Sequence, residues 1–152
     1  MAGNSRAYLV EDVQGDWDAY ERLDLRGKTM AFTADVSQVS CSCNAALYLV
    51  AMSGQYCDIQ STPACTELDI FEANSQAFQA TVHTKVGLGG DGTCNQWGCA
   101  VNWGNFPTTA DGRNTAALYG QGGHIDTRRP YRVAASVSTV GDVSDARSVL
   151  PP

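Results

Sequence analysis

The sequence predicts an all-β domain of antiparallel strands joined by long loops. Its composition is one reason. Glycine supplies 15 of 152 residues, Asp outnumbers Glu by twelve to four, and long runs of strong helix formers are absent. A second reason is that several short stretches alternate apolar and polar residues with the period of two of a half-buried strand. Third, hydrophobic residues make up 43% and charged residues only 17%. That excludes the composition of a disordered chain, which pairs low hydrophobicity with high charge.

In chain order, a short helix is expected within 16–26. The stretch 29–36 alternates cleanly, with Met30, Phe32, Ala34 and Val36 on one face and Thr29, Thr33 and Asp35 on the other. Residues 45–52 are uninterruptedly apolar and read as a more fully buried strand. Leu68 and Ile70 alternate with Glu67 and Asp69, and Phe78, Ala80 and Val82 alternate with Gln79, Thr81 and His83. Tyr131, Val133, Ala135 and Val137 form a last alternating set. The stretches 87–98 and 104–113 are rich in turn residues and read as loops. No internal repeat interrupts residues 1–140, which are taken as one domain. The tail 141–152 loses the pattern, ends in Pro-Pro and is expected to be poorly ordered.

Net charge is −6, with only two Lys residues. A basic face for nucleic acid or an anionic membrane is therefore not available. The longest apolar run is far short of the about 20 residues that span a bilayer. The first residues contain no apolar signal core, yet six cysteines (Cys41, Cys43, Cys57, Cys65, Cys94, Cys99) point to an oxidising compartment. The two observations agree if the sequence is a mature or excised segment of a secreted or lumenal protein, or lacks its first part; a reduced cytosolic protein is the plain alternative.

The most informative stretch is Thr66-Glu-Leu-Asp-Ile-Phe-Glu-Ala-Asn-Ser75, which holds two of the four Glu residues. On a strand, Glu67 and Asp69 project from one face about 6.5–7 Å apart. Glu72 has the opposite parity, so a bulge near Ile70 or Phe71 is needed to bring it to the same face. Three carboxyls on one face raise one another's proton affinity. That suits glycoside cleavage, in which one stays charged as nucleophile, one is held protonated as acid, and one tunes the first. A solvated acidic strand face is the plain alternative for so short a pattern. Metal binding by Glu67, Asp69, Glu72 and His83 is a third reading, without the spacing of an EF-hand or a zinc helix behind it. Cys94 and Cys99 lack zinc-ligand spacing, and neither G-x-S-x-G nor a P-loop is present. Trp97, Trp103, Tyr48 and Tyr56 could stack on sugar rings or serve packing.

Glu-Leu-Asp-Ile-Phe-Glu-Ala-Asn-Ser at 67–75 closely resembles the active-site segment of glycoside hydrolase family 7, the cellobiohydrolases and endoglucanases. Collinear segments add to the likeness. Ser5-Arg-Ala-Tyr-Leu-Val resembles the strand that opens the family's cleft. The stretch from Phe32 to Cys41, followed by Asn44-Ala-Ala-Leu-Tyr48, resembles F-D-V-D-V-S-x-L-P-C-G-x-N-G-A-L-Y. Tyr56-Cys-Asp-Ile-Gln60 resembles Y-C-D-S-Q, and the segment from Gly92 to Cys99 resembles G-T-C-D-P-D-G-C. Tyr119-Gly followed by Ile125-Asp-Thr127 resembles Y-G…D-T-T. The likeness covers roughly residues 3–137.

The resemblance implies an antiparallel β-sandwich of jelly-roll type, here incomplete, acting on β-1,4-glucan by retaining hydrolysis without metal or organic cofactor. By position, Glu67 matches the nucleophile, Glu72 the acid/base and Asp69 the carboxylate that holds the nucleophile. Asn44, Tyr48, Asp58, Gln60 and His83 match residues lining the glucan cleft, and Trp97 stands where a cleft aspartate is usual. Cys57 and Cys65 match a family bridge. Cys41 lacks its usual distant partner, and Cys94 and Cys99, each without its family partner, would pair together. The loops between Met52 and Tyr56 and between Gln60 and Cys65 are much shorter than the family's. An opened cleft of that kind favours endo attack. A second reading is a non-catalytic carbohydrate-binding or structural component, its incomplete sandwich covered by a protein partner.

Overall fold

A computed structural model describes residues 5–10, 20–52, 56–83, 98–104 and 118–138. Eight strands occur among them: β1 (Thr29–Ala34), β2 (Ala45–Val50), β3 (Glu67–Ala73), β4 (Ala77–His83), β5 (Cys99–Gly104), β6 (Tyr119–Gly120), β7 (Ile125–Asp126) and β8 (Tyr131–Ser136). The described residues contain no helix. β2, β3, β4 and β5 form one antiparallel sheet in that order, and β1 pairs with β8 in an antiparallel ribbon.

The alternation of β1 and β8 sets how these two layers meet. Met30, Phe32 and Ala34 are paired with Ala135, Val133 and Tyr131, so both strands turn their apolar side the same way. That side meets Phe71, Ala73 and Phe78 of the four-stranded sheet, and with Val36, Tyr119 and Ile125 these residues form the buried core. Phe71 is its centre. Its ring lies 5.6 Å from Phe32, nearly perpendicular, 5.6 Å from Phe78 and 6.5 Å from Tyr131. Edge-on aromatic pairs of this kind add to the burial of area alone.

The hydroxyls of Tyr119, Tyr131 and Thr127 are satisfied where they enter the core. The Tyr119 and Tyr131 hydroxyls are 2.7 Å apart, and Tyr119 donates to the Asn74 carbonyl at 3.0 Å. The fully buried Thr127 hydroxyl donates to the Ser75 carbonyl at 2.8 Å. Both contacts fasten the 118–127 segment, with β6 and β7, to the β3–β4 turn.

Several expectations are corrected. Residues 20–26 are not helical; 16–19 lie outside the described residues. Tyr20 makes a β-bridge with Val10, and the Glu21 amide donates to the Leu9 carbonyl at 2.9 Å, so the backbone pairs across the chain instead of along it. β2 is less buried than its apolar run suggested, with Ala46 exposed and the rest half-buried. Among the described residues it pairs with β3 alone. β5, β6 and β7 were not anticipated, and β6 pairs with β7 in parallel. Gly120 and Gly122 at φ 133° and 76° turn the chain there. The loop stretches expected at 87–98 and 104–113 lie outside the described residues except for Gly98 and Gly104, as does the tail 141–152.

Phe71→Ala removes the ring shared by both layers. It is expected to lower unfolding stability by about 3–5 kcal/mol in denaturant titration, whereas Thr33→Ala on the exposed face of β1 should change it by less than about 0.5 kcal/mol.

Candidate active site

β3 carries one residue more than either neighbour. Against β2, Phe71 pairs with Leu47 and Asp69 with Tyr48, skipping Ile70. Against β4, Asp69 pairs with Thr81 and Glu72 with Gln79, so Ile70 and Phe71 together stand opposite Ala80. The bulge restores Glu72 to the face of Glu67 and Asp69. Phe71 and Ala73 thereby point into the core, and the three carboxyls project from the side away from the β1–β8 ribbon. Register lines them against His83, Thr81 and Gln79 on β4 in that order.

The carboxyls occupy three different surroundings. Glu67 is half-buried, and its Oε2 accepts a hydrogen bond from the Ile59 amide at 3.1 Å. Asp69 is only 5% exposed and lies 3.1 Å from His83 Nε2. Burial is the main cause that pushes the Asp69 carboxyl up to about 7. The charges of Glu72 and Glu67 and a hydrogen bond shared with Glu67 add to it, against the pull of His83. Asp69 thus holds its proton to far higher pH than an ordinary aspartate. Glu72 is half-buried, and its Oε1 accepts from Asn44 Nδ2 at 3.0 Å.

Two loops make these contacts. The first is closed by the Cys57–Cys65 disulfide, whose Cα atoms are 5.6 Å apart. Asp58 organises it. Its Oδ1 accepts from the Ser61 hydroxyl at 2.9 Å and the Gln60 amide at 2.9 Å, and its carbonyl from the Cys65 amide at 2.8 Å. Although burial opposes it, the hydrogen bonds led by Ser61 and Tyr56 hold Asp58 below the usual carboxylate range. Tyr56 donates to Asp58 Oδ2 at 3.1 Å, its hydroxyl lies 3.5 Å from that of Tyr48, and Arg6 sits 4.6 Å above its ring. The second loop, 41–44, presents Asn44 to Glu72.

The structure thus brings together Glu67, Asp69, Glu72, Asn44, Tyr48, Asp58 and His83. Gln60 is exposed and joins the Asp58 turn through its backbone. Trp97 and Cys94 lie outside the described residues, and Cys99 is described only as backbone of β5. Cys41 and Cys43 are free thiols. Among the described residues, no three His, Cys, Asp or Glu side chains are arranged to hold a metal ion. A cavity of about 190 Å³ opens beside Glu72, between Asn44 and Gln79. A larger one of about 480 Å³, between the 37–41 loop and Ser75–Gln76, contains none of the three carboxyls.

Three contributors escaped the sequence reading. The Ile59 amide has no side-chain signature. Gly98, at φ 84°, packs so tightly on His83 and Thr81 that a Cβ there would lie 2.9 Å from the imidazole. Asn74 ties the β3–β4 turn to the 41–43 loop, and an Asn directly before a turn was its one visible signal.

Comparison with known proteins agrees with this geometry. The model of glycosyl hydrolase family 7 matches residues 1–58. The endo-β-1,4-glucanase celB of Emericella nidulans is 30% identical over 88% of this chain and 42% of its own length. Endoglucanase 1 of Humicola insolens is 29% identical over 84% and 40%. The native endocellulase EGI structure of Humicola insolens superposes with a TM-score of 0.60 at 28% identity, covering 78% of this chain and 39% of that one. A cellobiohydrolase of Melanocarpus albomyces, complexed with cellotetraose, shares the fold with a TM-score of 0.58 at 24% identity, over 95% of this chain and 47% of that one. The chain spans less than half the length of each of these relatives. Its strands belong to their jelly-roll β-sandwich, and the chain is a partial member of glycosyl hydrolase family 7.

Proposed function

We propose that the chain carries the bond-cleaving centre of a retaining glycoside hydrolase acting on β-1,4-glucan. The observation that carries this reading is the β3 bulge, which sets Glu67, Asp69 and Glu72 on one face in three distinct surroundings. Glu67 acts as nucleophile. It attacks the anomeric carbon while Glu72 gives its proton to the departing glycosidic oxygen, so that the carbon–oxygen bond breaks as the glycosyl–Glu67 ester forms. Glu72 then takes a proton from water, which opens the ester and releases the sugar with its original configuration. Asp69, protonated and hydrogen bonded to Glu67, holds the nucleophile and keeps its charge available. Tyr48, Asp58, Gln60 and His83 border the row as sugar contacts, and the endoglucanase names of the relatives support endo action. The Cys57–Cys65 bridge supports a secreted or lumenal setting.

A second reading, a non-catalytic component covered by a protein partner, is favoured by one observation. Tyr8, Leu9, Val10 and Leu23 expose large apolar side chains.

Reducing-sugar release from soluble β-1,4-glucan separates the two. Glu67→Gln is expected to lower the rate at least about 1,000-fold, or about 4 kcal/mol of barrier, with the fold intact by circular dichroism. Equal inertness of the folded wild type and variant would sink the hydrolase reading. Proton NMR of the first product should show the β-anomer.

Asp69 also sets a pH dependence. Its folded value of about 7 exceeds the ordinary 3.8, so between these values the folded state holds more protons than the unfolded. Stability should fall as pH rises from about 4 to about 7, and activity should fall as pH passes about 7. Asp69→Asn should flatten the stability decline in denaturant titrations across that range.

A further inference from the structure

We propose that Asn74 is a positioning residue for Glu72 that acts through the 41–44 loop and Asn44. The inference rests on the hydrolase reading above and extends it to a residue that touches no reacting atom.

The Asn74 side chain uses all of its hydrogen-bonding capacity. Its Oδ1 accepts from the Gln76 amide at 2.8 Å and the Ala77 amide at 3.0 Å, and its Nδ2 donates to the carbonyls of Cys41 at 3.2 Å and Cys43 at 3.1 Å. The oxygen side therefore forms the β3–β4 turn, and the nitrogen side grips the neighbouring loop. Asn44 follows Cys43 directly. Its side chain is exposed, and its backbone stands between Cys43, gripped by Asn74, and Ala45, the first residue of β2, paired with Ala73 of β3. Glu72 itself lies two residues before Asn74 on β3. Both partners of the Asn44–Glu72 contact are thus anchored to the same amide, and Cys43, Asn44, Glu72 and Asn74 share the wall of the cavity beside the acid. A second tie, from the Ser75 amide to the Val39 carbonyl at 2.9 Å, holds the start of the loop; the Cys43 amide donates to the Ser40 carbonyl at 2.9 Å within it, and Asn74 and the first pair of β2 with β3 hold its end.

The two halves of the amide can be separated. Asn74→Asp keeps an acceptor for the turn amides but sets oxygen against two carbonyls, which releases the loop without deleting the turn. Asn74→Ser is a second such variant, with a hydroxyl able to accept from the turn amides and too short to reach the loop. A misplaced Glu72 should slow departure of a poor leaving group, which needs protonation, far more than a good one.

The test compares phenyl β-cellobioside with dinitrophenyl β-cellobioside for wild type, both Asn74 variants, Asn44→Ala, the Asn74→Asp/Asn44→Ala double variant and Glu67→Gln. On the phenyl substrate, each Asn74 variant is expected to lose about tenfold in kcat with KM within about twofold. On the dinitrophenyl substrate, kcat/KM, which reports formation of the ester alone, should stay within about twofold. The double variant should lose no more than Asn44→Ala alone. Equal losses on both substrates, additive losses in the double variant, unchanged kcat, or failure of both Asn74 variants to fold would overturn the positioning role. Wild type as inert as Glu67→Gln on both substrates would instead remove the hydrolase reading, and this inference with it.

Discussion

One extra residue in the middle of β3 decides both what this domain buries and what it offers to a ligand. A regular strand from Glu67 to Ala73 would place Glu72 on the side of Leu68, opposite the other two carboxyls. With Ile70 inserted, Phe71 and Ala73 face the β1–β8 ribbon while Glu72 faces away from it. The same offset that assembles the acidic row therefore also assembles the aromatic core. This coupling fixes the register strongly, because a slip of one residue would drive a carboxyl into the aromatic cluster and expose Phe71. The unpaired residue costs a ladder position, but Ile70 is itself buried, which offsets part of that loss.

Once the row is set, its members must be made unlike. Three equivalent carboxyls at this spacing would share protons without a division of labour. Here the middle one is the most enclosed, with Thr81 at 2% exposure opposite it on β4 and His83 reaching it diagonally from opposite Glu67. Gly98 is part of that enclosure, since any side chain there would displace the imidazole. The outer two are met from opposite ends by a backbone amide and a side-chain amide. The loop at one end is closed covalently by Cys57–Cys65, and the loop at the other by the Asn74 amide. Environment rather than residue type separates the roles.

Much of this was legible in the residues. The strands within 29–36, 78–83 and 131–137 showed because their two faces differ, apolar against the core and polar away from it. The parity of Glu72 demanded a bulge, and the register contains it. Other parts were not legible for physical reasons. β5 lacks a clean period, and β6 and β7 are two-residue pairings held by glycine turns and contacts to distant chain. The burial of Thr81 on a polar face involves Gly98, which packs on it from a position remote in sequence. The Tyr20 segment looked helical locally, yet its backbone finds a partner in Val10. Pairing with remote chain overrode local propensity in each case.

Cutting a glycosidic bond and gripping a long chain make different demands on a fold. The first needs a few groups held within a fraction of an ångström, which suits rigid elements. β3 meets that need. It lies between β2 and β4 in its sheet and is backed by the Phe32, Phe71, Phe78 and Tyr131 rings. The second needs an extended surface whose contacts add up over several sugar rings. The parts nearest the row that could contribute are the Tyr48–Tyr56–Asp58 chain and, beyond it, Arg6 and Tyr8 against the Tyr56 ring. Arg6 and Tyr8 sit on exposed chain beside the Val10–Tyr20 bridge, whereas Tyr48, Tyr56 and Asp58 are half-buried. The carboxyl row proposed for cleavage therefore rests on the best-packed part of the domain, and the outermost of the proposed sugar contacts on its exposed chain. Loss of surrounding surface should accordingly weaken hold on the substrate before it disturbs the alignment of the three carboxyls.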